Sequence, residues 1–139
     1  MTEDPKRTLM TLLSDNWDES GVGFTPKFST DWYDEKEEMP QVVVSHIITE
    51  QRPLGFMADP TTASRKRRGV YAVDVWSKGN QERRWKMVEE VSRILKAKCD
   101  APGGSIEFLL VTSWRDLDQF DVSPKIYRSR AHVEVIYYA

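Results

Sequence analysis

Residues 69 to 99 read GVYAVDVWSKGNQERRWKMVEEVSRILKAKC, and this run holds a strand, a tight link and a long helix. From Val70 to Trp76 the chain is rich in β-branched and aromatic residues, which pack well on a pleated surface. Tyr71, Val73 and Val75 share one face of that strand, and Ala72, Asp74 and Trp76 share the other. The first face is apolar, so it is expected to be buried. Ser77-Lys78-Gly79-Asn80 breaks the alternation, and Asn80 or Ser77 offers a side-chain oxygen to cap a helix. Trp85, Val88, Val91 and Leu95, with Ile94 to one side, then recur at three- and four-residue spacing. That spacing predicts an amphipathic helix of roughly 18 residues, about 27 Å long. Asp100-Ala-Pro-Gly-Gly104 ends it.

Three further strands follow from the same reading. Gln41 to Gln51, QVVVSHIITEQ, places Val42, Val44, His46 and Ile48 on one side and Val43, Ser45, Ile47 and Thr49 on the other. Both sides are substantially apolar, which predicts a central or doubly covered strand. Ile106 to Thr112 alternates Ile106, Phe108 and Leu110 with Glu107, Leu109 and Val111. Ala131 to Tyr138 places Ala131, Val133, Val135 and Tyr137 on one face. A short helix from Pro5 to about Asp15, capped by Thr2 or Asp4, carries Leu9, Leu12 and Leu13, with Met10 widening the stripe. Residues 16–38 form an acidic, aromatic arm holding Trp17, Trp32 and Tyr33. Residues 57–69 and 113–130 read as polar connections. The fold class is α+β: one domain over 1–139, with a four-stranded, mainly antiparallel sheet, the long helix on one face and the short amino-terminal helix beside it. Its sheet-and-helix core covers 41–139.

Composition narrows the function. The chain has 139 residues, enough for one hydrophobic core. Hydrophobic residues at 40% and charged residues at 30% match a soluble globular chain rather than a disordered one. A net charge of −2 gives no global field for nucleic acid or anionic lipid. Cys99 is the single cysteine, so no internal disulfide forms. The start, MTEDPKRTLM, has no long apolar run, so neither a signal peptide nor a membrane span is expected.

Catalytic patterns are weak. Glu50, Asp74 and Lys78 offer two carboxylates and a lysine for a metal-dependent nuclease, but not at the tight spacing such sites show. Asp116, Asp118 and Asp121 alternate like calcium ligands, without the glycine or the terminal glutamate of a calcium loop. Gly103-Gly104 follows a helix instead of opening one, so it reads as a turn. No catalytic residue, cofactor or metal is assigned. Arg65, Lys66, Arg67 and Arg68 form a basic run in the expected hairpin tip. They are candidate interface residues, together with Trp17, Trp32 and Tyr33. The tip and the acidic arm have opposite sign and are expected to meet between neighbouring copies.

Three pieces of the chain carry a family resemblance. They are Tyr71-Ala-Val-Asp-Val-Trp76 with the helix ending in Val91-Ser-Arg-Ile-Leu95, the strand Ser105 to Thr112, and Tyr127-Arg-Ser-Arg-Ala-His-Val-Glu-Val-Ile-Tyr137. Together they resemble the tail-completion, or tail-terminator, proteins of tailed phages and prophages, over roughly Gln41 to Ala139. The resemblance implies a structural, non-enzymatic part of a virion. It implies a homo-oligomer, in that family usually a ring of six, that caps the tail tube at the head–tail junction and meets tube or neck proteins. It places the chain in the virion or the host cytoplasm. The departure is the acidic arm, longer than the family pattern. The alternative reading is a nucleic-acid-binding protein using Arg65 to Arg68, and behind it a metal-dependent nuclease.

Overall fold

The computed structural model describes residues 4–31, 40–53, 65–100, 102–103, 106–118, 120–121 and 125–138. The chain begins with α1 (Pro5–Asn16), where the Asp4 side chain accepts the Lys6 backbone N–H at 3.0 Å and proline stands in the first turn. A single turn, α2 (Glu19–Val22), and a short strand, β1 (Lys27–Thr30), follow. Strands β2 (Gln41–Pro53) and β3 (Arg65–Lys78) pair in a long antiparallel hairpin, from Gln41 opposite Trp76 to Pro53 opposite Arg65. The long helix α3 (Gln81–Ala97) comes next, then β4 (Ile106–Asp116) and β5 (Ile126–Tyr138).

The sheet has the order β1-β2-β3-β5-β4. Every pairing is antiparallel except β1 with β2. It therefore has five strands, not four. The fifth, β1, lies inside the stretch read as an irregular arm, and α2 lies there too. Both are too short to leave a periodic signal. The two polar connections also shrink. β3 already begins at Arg65, and β4 and β5 extend to Asp116 and back to Ile126. Long strands tolerate polar residues because one face of this sheet carries no helix.

Entry into α3 shows the local logic. Gly79 takes φ +71°, which turns the chain out of β3 at no Cβ cost. Asn80 Oδ1 then accepts the Arg83 N–H at 3.0 Å, and Ser77 Oγ donates to the Asn80 carbonyl at 2.7 Å. The helix lays Met87, Val91, Ile94 and Leu95 on the inner face of the sheet, against Tyr71, Val73, Val75, Val133 and Val135. Helix α1 adds Leu9, Leu12 and Leu13 over Val42 and Val44. Each aliphatic side chain buried this way contributes about 1.5–3 kcal/mol.

The expected inner face of β3 is thus the observed one, while the helix stripe differs. Trp85 is 61% exposed and points away from the sheet, and Met87 takes the buried place. Bulges move other side chains. The register slips between His46 and Ile48, so His46 stays opposite Tyr71 on the inner face while Ile48 turns outward opposite Val70. A second slip between Ile106 and Phe108 buries Leu109 instead of Phe108.

Candidate functional site

Both α1 and α3 pack on the inner face of the sheet, and a cavity of about 380 Å³ lies between α3 and β4, lined by Leu95, Cys99, Leu109 and Val111. The outer face of the sheet carries the charged surface. Alternation sorts charge onto it. Lys27, Arg68, Lys78, Arg115, Arg128 and Arg130 face outward, against the carboxylates of Asp74 and Glu134. A chain of net charge −2 thus carries a basic sheet face among the described residues, with the excess acid elsewhere.

Asp74 organises the face. It is 4% exposed and sits opposite Arg130 in the β3–β5 ladder. Arg130 donates to it through Nε at 2.8 Å and Nη2 at 3.1 Å, and Arg128 Nη2 donates at 3.2 Å. The carboxylate raises the Arg130 pKa through these hydrogen bonds. The Arg128 guanidinium also lies 4.3 Å from the centre of the Trp76 ring. A cleft of about 320 Å³ opens beside this group, lined by Val43, Ser45, Asp74, Trp76 and Arg130, with Asp31 at its rim. Further along the face Arg68 pairs with Glu134, and that hydrogen bond holds the Glu134 carboxyl below its usual range.

The other half of the face mixes apolar side chains with the Arg68–Glu134 pair. The ladder aligns Ile48, Val70, Glu134 and Leu110 in one cross-strand row. Ile48 is 53% exposed and Leu110 50% exposed. The helical layer on the opposite side of the molecule also leaves one large side chain in water, Trp85. It lies between Glu82 and Glu89, three residues before and four after, on one exposed side of α3.

One more ionic cluster fastens α3 to the end of β4. Arg84 is buried at the start of α3, pairs with Asp118 and lies over the Tyr127 ring at 5.4 Å. Asp118 also accepts the Arg128 backbone N–H at 2.9 Å, and Asp116 accepts the Ser129 hydroxyl at 2.6 Å. Asp116 and Asp118 thus both have protein partners. At the far end of the inner face, burial raises the Tyr71 pKa strongly, helped by the charge and hydrogen bond of Tyr137. His46 Nε2 is 2.6 Å from Thr49 Oγ1 and its ring lies 5.1 Å from that of Tyr71.

The sequence-derived candidates fare unevenly. Arg65 to Arg68 belong to β3 and not to a loop tip. Strand alternation splits the run: Arg68 faces outward, and Arg67 sits on the inner side next to Gly69 and Tyr71. Arg67 and Arg68 therefore stand on different faces of the sheet. Trp17 is partly buried against the core. Its Nε1–H donates to the Phe24 carbonyl at 2.9 Å, and its ring meets Phe28 edge-on at 5.5 Å. Trp32 and Tyr33 lie outside the described residues. The nuclease set does not assemble. Glu50 is opposite Arg68, six residues along β3 from Asp74, about 20 Å away. Arg128 and Arg130, at period two in β5, share the outward face with Asp74 and Trp76.

No family model and no curated protein matches the chain. Among solved structures the fold is similar to a chain of "Virion of native gene transfer agent (GTA) particle". The TM-score is 0.60 at 12% identity, covering 96% of this chain and 94% of that one. The likeness at this identity is one of fold. Among the described residues no helix is long and apolar enough to cross a membrane.

Proposed function

We propose that this chain is a structural component of a phage-like particle that assembles with copies of itself into a ring at the tail end or head–tail junction. The observation that carries the reading is the fold likeness to a virion chain over nearly the full length of both. It agrees with the tail-terminator resemblance of the strand–helix run and the closing strand, which implies six copies. The chemistry of the surface points the same way. The acidic groups an enzyme would use are tied to arginines: Asp74 to Arg128 and Arg130, and Asp118 to Arg84. The surface left over combines exposed apolar side chains with arginine, which is the composition of a protein interface.

The test is localisation. Particles purified from cells that produce the chain are washed, digested for peptide identification and imaged by electron cryo-microscopy. The expected result is the chain in stoichiometric amount, as a closed ring at one end of the tail tube. Its absence from washed particles would overturn the proposal. So would its presence at another place in the particle.

A further inference from the structure

We draw no further inference here: the strongest candidate, the apolar cavity of about 380 Å³ between α3 and the edge strand β4, lined by Leu95, Cys99, Leu109 and Val111, is an unpartnered apolar surface, and nothing in the structure shows what covers it.

Discussion

The Asp18 backbone N–H donates to the Glu90 carboxylate at 2.6 Å across seventy-two residues of chain, and Glu90 also receives Arg93 through Nε at 2.6 Å and Nη2 at 2.9 Å. Arg93 in turn donates to the Asn16 carbonyl at 2.9 Å. This buried carboxylate therefore ties the α1–α2 link to the middle of α3. The Arg93 hydrogen bond, with help from the Asp18 N–H, holds the Glu90 carboxyl below its usual 4.5. A depressed folded-state value means that the stability is fully present above about 4.5 and is lost as pH falls toward the folded value. Wild-type melting temperature is thus expected to fall below about pH 4.5. Glu90→Gln is expected to cost about 1–3 kcal/mol at pH 7 and to flatten that acid limb. Thermal melts from pH 3 to 7 check it, and an acid limb unchanged in Glu90→Gln would refute the assignment.

Gly69 is fixed by its neighbour and not by its own backbone angle. A Cβ there would stand 2.6 Å from Tyr71 Cε2, and Tyr71 is buried between β2 and β5. The ring cannot swing away without leaving the core, where it is 3% exposed and packs 5.1 Å from the His46 ring. Gly69→Ala is expected to destabilise by about 1–3 kcal/mol. Gly69→Ala combined with Tyr71→Val is expected to lose less than the sum of the two single changes, because the clash is gone. Urea titration of the four proteins measures the coupling.

Much of the fold was legible because two periodicities were strong. Period two from Val70 to Trp76 and from Ala131 to Tyr138 identified the inner face, and every residue assigned to it is buried. The misreadings have definite physical causes. Trp85 looked like a core residue on hydrophobicity alone, but its position on the helix is set by Met87, Val91 and Leu95. Ile48 and Phe108 changed sides because each follows a bulge, and a one-residue insertion leaves no mark in composition. The basic outer face was hidden for a different reason. Its cations come from four strands that are neighbours only after folding, whereas the visible run Arg65 to Arg68 is divided between two faces.

Asp74 is the anion that lets Arg128 and Arg130 lie on the sheet instead of repelling each other. Asp74→Asn keeps the shape and removes the charge. It is expected to cost about 2–3 kcal/mol, below the range for wholly buried pairs, because Arg130 still reaches water. Replacing Arg130 with methionine in the same chain is expected to recover part of the stability, since one uncompensated cation is then gone. Guanidinium chloride is unsuitable here because it screens charge, so urea melts at low salt are the measurement. Equal stability of Asp74→Asn and wild type would show that the cluster is incidental.

The orientation of α3 treats its large apolar side chains unequally. Leu95 is fully buried between the helix and the sheet, and Trp85 on the same helix is mostly in water. Leu95→Ala is expected to cost about 2–5 kcal/mol, from lost apolar burial plus the cavity left behind. Trp85→Ala removes the larger side chain, yet it is expected to stay within about 0.5 kcal/mol of wild type, since its ring mostly faces water. A hydrophobicity scale alone ranks the two the other way. If Trp85→Ala melts as low as Leu95→Ala, the helix is rotated from the position described, and the inner face assigned to Met87, Val91 and Leu95 is wrong with it.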